Sequence, residues 1–364
     1  MQVDVATPRP GLDFIWLELT GRCNLECVHC YADSSPHRPL HEGMAEADWI
    51  AALDQAAELG CRKVQFIGGE PTIHPGLPAL IEHARKIGYR GICVYTNGTH
   101  VTEPLKSVFI KNRVNLVFSV YGASSDIHDR VTLRQGSFAK TRAAIKWAIG
   151  AGLFVRAGVV AMAENAADVR RTERMLLDWG VRSVRTDRLR GFGRGLRARP
   201  APRPMKELCG RCGHGNVCVS QSGEIHPCVF ARFASLGDIK SGALASAFAG
   251  RTLGAFHEAL ADTLGARARG SGAEARRGLA ALPAAGYSAA SGREETCSPE
   301  EDPGPCDPET DPGNCDPETD PGDCDPETDP GDCDPETDPG DCDPEIDPGP
   351  CIPEDPDQND DDEP

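Results

Sequence analysis

From residue 14 to about 190 the chain alternates strictly between short β-branched or aromatic runs and segments of helical periodicity, and that alternation leaves few folds open. "FIWLELT" reads as a strand, "EADWIAALDQAAELG" as a helix with apolar residues at helical spacing, and "KVQFIG" as the next strand. The order continues through "LPALIEHARKIG" and "GICVYTNG", "EPLKSVFIKN" and "VNLVFSVYG", "FAKTRAAIKWAIGAG" and "FVRAGVVAMA", then "ADVRRTERMLLDWG" and "VRSVRTDRL", which makes six strands joined by five helices. Such βαβ units cross over right-handedly and build a parallel sheet, either open and doubly wound or curled into a barrel. In both, chemistry gathers beyond the C-terminal ends of the strands.

The sequence motifs fall at those ends: a cysteine loop after the first strand, "GGEPT" after the second, "TNG" after the third and "SVYG" closing the fourth. In "CNLECVHC" the residues Cys23, Cys27 and Cys30 have C-x3-C-x2-C spacing, and the next cysteine is Cys61. A zinc site would need a fourth ligand, for which His29 and His37 are at hand. Alternatively, three thiolates hold three irons of a 4Fe-4S cube and leave the fourth iron open to an outside ligand. Cys61 and Cys93, on or beside strands, read as core residues.

The start of the chain has no basic stretch followed by an uninterrupted apolar run, and no later run approaches the roughly 18 apolar residues of a membrane span. A cytoplasmic location without membrane or nucleic-acid partners is expected. In that compartment sixteen cysteines point to metal or redox chemistry before disulfides.

Residues 191 to 205 form a Gly-, Arg- and Pro-rich connector, and a second cysteine region follows. "CGRCGHGNVCVSQSGEIHPCVF" places Cys209, Cys212, Cys218 and Cys228 in C-x2-C-x5-C-x9-C order, a metal-binding signal that suits zinc and a 4Fe-4S cluster alike. The expected division is a core domain over 1–205, a cluster domain over 206–265, an Ala-, Gly- and Arg-rich linker over 266–296 and a repeat tail over 297–364.

The tail carries 28 of the 56 acidic residues and no Lys or Arg, so the net charge of −18 divides into +10 for residues 1–296 and −28 for the tail. Seven cysteines, from Cys297 to Cys351, recur every nine residues, typically as "CDPETDPGD". Two prolines per repeat and dense negative charge exclude a packed core, so disorder is expected. The tail is read as a solvated segment, as a loose iron or zinc binder, as an acidic gate on the basic front, or as a substrate fused in cis.

"CNLECVHC" together with "GGEPT" resembles the two signatures of the radical S-adenosylmethionine (radical SAM) enzymes, and the resemblance covers roughly residues 14 to 240. It implies a partial (β/α)6 barrel of TIM type. Cys23, Cys27 and Cys30 would ligate a 4Fe-4S cluster, whose open iron is chelated by the methionine part of SAM. Reductive cleavage of SAM to a 5'-deoxyadenosyl radical then follows. Gly68, Gly69 and Glu70 would line the methionine end, with Glu70 accepting from the ammonium; His29 takes the place of an aromatic over the adenine. Ser119 corresponds to a ribose-binding position, with Tyr121 where relatives read Asp, and Asn97 and Arg156 are further candidates for the same site.

The second cysteine region, with Gly223 and Cys228 in G-x4-C spacing, resembles the SPASM and shorter twitch domains, which implies one auxiliary 4Fe-4S cluster. Four cysteines would close its coordination and suit it to electron transfer. The resemblance implies hydrogen abstraction from a ribosomally made peptide, with the chain's own tail a candidate. A flavodoxin or ferredoxin would donate electrons. Dehydrogenation of a small alcohol or sugar is the alternative among enzymes, and a non-catalytic cluster scaffold with an interaction tail is the alternative outside them.

Overall fold

The computed structural model describes residues 11–200, 203–242 and 244–265; the expected linker and repeat tail lie outside them. Six strands with helices between them come first: β1 (Phe14–Glu18), α1 (Glu46–Glu58), β2 (Lys63–Ile67), α2 (Leu77–Lys86), β3 (Gly91–Thr96), α3 (Glu103–Lys111), β4 (Asn115–Ser119), α4 (Ser125–Thr132), α5 (Ser137–Gly150), β5 (Val155–Ala161), α6 (Val169–Asp178) and β6 (Ser183–Arg188). Each expected strand is present. The helix α4, between "SVYG" and the periodic run of α5, is an addition to the expected five, and Leu133 closes it in the left-handed region at φ 54°.

Neighbouring strands run in the order β6-β5-β4-β3-β2-β1, every pair parallel. That order decides between the two architectures. A doubly wound sheet reverses direction midway and places helices on both faces, whereas right-handed crossovers that always step the same way put every helix on one face. The sheet curls around its other face as a partial barrel does. Register and the two-residue alternation of side chains place Trp16, Gln65 and Cys93 together on one face and Ile15, Val64 and Ile92 on the opposite one. Both sets are buried, as parallel strands covered on both sides require.

The first face carries a polar chain. Trp16 Nε1 donates to Gln65 Oε1 at 3.1 Å, Gln65 Nε2 donates to Cys93 Sγ at 3.1 Å, and Arg156 Nη2 reaches the same sulfur at 4.0 Å. Arg156 is therefore committed deep in the sheet. Cys61 and Cys93 are both buried, as expected of core cysteines.

After β6 come a single-turn helix α7 (Gly195–Ala198), the strands β7 (Asn216–Val219), β8 (Glu224–His226) and β9 (Gly237–Asp238), and the helices α8 (Leu244–Ala249) and α9 (Arg251–Leu264). The strand β7 pairs in parallel with β1, from Phe14 against Asn216 to Leu17 against Val219, and β8 and β9 extend it antiparallel. The second cysteine region thus continues the sheet along the edge that β1 would otherwise leave open. Among the described residues no helix is long and apolar enough to cross a membrane.

Candidate active site

A cavity opens at the C-terminal ends of the strands. Cys23, Cys27 and Cys30 line it together with Gly68, Gly69, Glu70, Asn97, Ser119 and His29. All the residues proposed from the sequence for the first cluster and its ligand, except Arg156, face this one space.

The loop that carries the three thiols is fixed by backbone contacts from two directions. From β2, Gly69 N–H donates to Thr20 O at 2.6 Å and Glu70 N–H to Arg22 O at 2.9 Å. A Cβ on Gly69 would lie 2.0 Å from Arg22 O, and one on Gly68 would lie 2.6 Å from Thr20 O. The glycines of "GGEPT" are thus demanded by the cysteine loop itself. From the far side, Arg194 donates through its backbone N–H to Cys30 O at 2.9 Å and through Nε to Cys27 O at 2.8 Å. Gly193, at φ 51°, allows this approach, since a Cβ there would sit 2.2 Å from Cys30 O.

The segment expected to be a plain connector is therefore a wall of the site. Asp187, Arg190 and Phe192 also line the cavity. Arg190 forks onto Asp187, with Nε to Oδ2 at 3.0 Å and Nη2 to Oδ1 at 3.0 Å, and also donates to Glu207 O. Arg188 and Arg199 both converge on the Glu207 carboxylate, at 2.8 and 3.2 Å. A run of glycine and arginine reads locally as a flexible link; only the distant acids Glu207 and Asp33 show what the arginines hold.

Glu70 is buried, and its carboxylate is extensively bonded within the protein. Oε1 accepts from Thr72 N–H at 3.0 Å, from Thr72 Oγ1 at 2.6 Å and from Thr96 Oγ1 at 2.6 Å, while Oε2 accepts from Asn97 N–H at 2.7 Å. Burial pushes its pKa up, and these donors pull against that. The side chain ties the end of β2 to the end of β3, and only Oε2 keeps acceptor capacity for a ligand ammonium. Asn97 in turn bonds Asn24 Oδ1 at 2.8 Å and points Nδ2 at Cys23 Sγ, 3.8 Å away.

Desolvation dominates the thiols. It drives Cys23 above the ordinary range and Cys27 up to about 12, with the neighbouring thiols adding to both shifts. Cys23 and Cys27 are thereby held protonated unless a cation replaces the protons, and three thiols on one cavity lining suit the ligand set of a metal cluster. Among the described residues, no group of three or more His, Cys, Asp or Glu side chains stands close enough to share one metal ion; the three thiols line one cavity. Two buried polar atoms on the same lining, His29 Nε2 and Ser34 Oγ, lack a partner among the described residues. The donor set and these orphaned atoms fit a cluster with a polar ligand beside it. His29 packs edge-on against Tyr121 with centroids 4.9 Å apart, and burial, with Arg194 nearby, lowers its pKa to about 4, so the ring is neutral.

The second set of cysteines lies on the β1–β7 side. Cys212 and Cys228 have their sulfurs 2.7 Å apart. A hydrogen bond from Cys212 lowers the pKa of Cys209 to about 6, and the fully buried Cys218 is raised well above its usual value by desolvation and by Glu18. Between the two cysteine sets stands a network the sequence did not announce. Glu18 accepts from Tyr31 Oη at 3.0 Å and from Arg232, and the guanidinium lies 5.6 Å from the Tyr31 ring centroid. Tyr31 follows Cys30, and Arg232 comes four residues after Cys228.

Residues 17–176 match the model of the Radical SAM superfamily. Among curated proteins, the chain is 27% identical over 259 residues to the antilisterial bacteriocin subtilosin biosynthesis protein AlbA of Bacillus subtilis, covering 61% of this chain and 56% of the relative. It is 31% identical over 204 residues to PqqA peptide cyclase of Xanthomonas campestris pv. campestris, covering 56% and 54%. The chain thus spans little more than half the length of these relatives. Among solved structures it resembles Streptococcus suis SuiB bound to S-adenosylmethionine, with TM-score 0.56, 14% identity and 68% of each chain covered. It also resembles native anSMEcpe with bound AdoMet, with TM-score 0.55, 17% identity, and 68% of this chain and 83% of that one covered. At such identities the likeness establishes the shared fold.

Proposed function

We propose, from the premise that residues 17–176 form a domain of the radical SAM superfamily, that this chain is an enzyme that cleaves S-adenosylmethionine reductively and abstracts hydrogen from a peptide. The observation that carries the reading is the convergence of Cys23, Cys27, Cys30 and the Gly68–Gly69–Glu70 turn on one cavity. When bound, a 4Fe-4S cluster with SAM on its open iron supplies the radical.

The chain's own residues bind and orient. In this reading Cys23, Cys27 and Cys30 hold three irons, Glu70 Oε2 takes the ammonium, His29 covers the adenine, and Ser119 and Asn97 line the nucleoside side. The wall of Asp187, Arg190, Phe192 and Phe230 shields the space from water. Cys209, Cys212, Cys218 and Cys228 are read as the ligands of an auxiliary 4Fe-4S cluster in a twitch-like region, with a flavodoxin or ferredoxin as donor and the cytoplasm as location.

A peptide is favoured as substrate because the relatives include a PqqA peptide cyclase and a bacteriocin biosynthesis protein, and because SuiB has been solved with its precursor peptide SuiA. The repeat "CDPETDPGD" is the candidate substrate that the chain itself carries. Anaerobically reconstituted protein is expected to hold about eight irons and, with SAM and a strong reductant, to release 5'-deoxyadenosine. Zinc in place of iron, or intact SAM, refutes the enzyme reading. Mass spectrometry of the chain after turnover tests the tail: loss of two hydrogens per modified repeat supports it as substrate, and an unmodified tail removes it.

A further inference from the structure

We infer that Ser34 is a positioning residue whose hydroxyl donates a hydrogen bond to the cluster at its Cys30 corner and raises the cluster's reduction potential. This rests on the reading of Cys23, Cys27 and Cys30 as cluster ligands.

Ser34 is 1% exposed, and its Oγ has no hydrogen-bond partner among the described residues. A buried hydroxyl left unbonded is costly, so a native site that keeps one supplies an acceptor by other means. The local acceptor a serine at this spacing commonly uses is the carbonyl four residues back. Here that carbonyl is Cys30 O, which already accepts from Arg194 N at 2.9 Å and Asp33 N at 3.3 Å. The residue is anchored close to the thiol itself, because its own backbone N–H donates to Cys30 Sγ at 3.4 Å. Ser34 lines the same cavity as the three thiols. The acceptors that such a space offers once loaded are sulfurs, of Cys30 and of the cluster.

Donors to the sulfurs of an iron-sulfur cluster stabilise its reduced, more negative state and raise its potential. Cys23 has comparable donors in Leu25 N–H at 3.4 Å and Asn97 Nδ2 at 3.8 Å. Ser34 would complete this pattern on the Cys30 side.

The test compares wild type, S34A and S34T as full chains. Metal-free S34A is expected to melt no lower than wild type, because the substitution removes an unbonded polar atom. Both reconstituted variants should keep the wild-type iron content. In an EPR-monitored redox titration without SAM, the reduced fraction of the first cluster at a fixed potential should fall about tenfold in S34A, which is about 59 mV for a one-electron couple, and S34T should restore it. An unchanged S34A potential overturns the inference, as does a loss of iron in S34A or a change confined to SAM affinity. If wild-type protein takes up no iron at this site, the underlying reading of the thiols fails instead, and the inference with it.

Discussion

Replacing Gly69 by alanine tests whether the second sequence motif serves the cysteine loop before it serves any ligand. The added methyl carbon would lie 2.0 Å from Arg22 O, 2.4 Å from Arg22 C and 2.9 Å from Cys23 N. These are backbone atoms, so no side-chain rotation relieves the clash. Overpacking of this kind costs about 1–3 kcal/mol. Separating the strands also weakens the bonds from Gly69 N–H to Thr20 O and Glu70 N–H to Arg22 O, each contributing about 1 kcal/mol. The expected loss is therefore about 3–5 kcal/mol, a large part of the roughly 5–15 kcal/mol that holds a typical domain together. Urea unfolding of the metal-free protein, followed by circular dichroism, reads this directly. Because the clash displaces Cys23, iron content after reconstitution should fall at the first site as well. Gly254→Ala in α9, where nothing lies within 4 Å of the new carbon, is the control, and should stabilise by about 0.5–1 kcal/mol. If G69A unfolds within 0.5 kcal/mol of wild type and loads fully, the argument that the loop dictates the glycine is wrong.

Cys27→Ala should lower bound iron by roughly four per chain while Cys61→Ala, at a core position, leaves it unchanged; equal losses in the two would refute the assignment. Burial lowers the pKa of His128 to about 4 against an unfolded value near 6.5, so its contribution is complete above pH 6.5 and lost as pH falls toward 4, amounting to about 3 kcal/mol. H128Q should therefore lose correspondingly less stability between pH 7 and pH 4, and identical pH dependence of the two proteins in urea titrations would contradict it. E18Q leaves Arg232 facing a neutral partner in a buried network and should cost about 3 kcal/mol, whereas E82Q, which breaks the exposed pair with Lys111, should cost under about 0.5 kcal/mol; similar effects of both would remove the case for Glu18 as a structural bridge.

Much of this protein is written locally. Helical and strand periods over residues 14–190 name the six strands, because burial on two faces forces apolar-rich runs in β1 to β5, while β6, SVRTDR and mostly half-buried, is named by its place in the alternation. The cysteine spacing and "GGEPT" mark the strand ends where the cavity forms, since the chemistry needs those residue types in those loops. The four later cysteines announce a second thiol-rich region in the same way. Residues 266–364 are read from sequence alone, through proline and charge.

Other features depend on contacts between residues far apart in the chain, and no local pattern contains them. Strand order, which separates a curled sheet from a doubly wound one, is settled by pairing between whole strands. Glu70 looks like a ligand acceptor in its motif, yet Thr96 and Asn97, 26 and 27 residues on, supply two of the four donors its carboxylate accepts from. The Gly- and Arg-rich stretch after β6 becomes a wall only because Arg194 reaches back 167 residues to Cys27 O. Glu18 joins the two thiol sets only because Tyr31 and Arg232, 13 and 214 residues away, arrive at its two oxygens. Sequence fixes which groups are available and how each segment bends; the tertiary structure decides which buried polar atoms find partners, because that depends on the geometry of the whole packed chain.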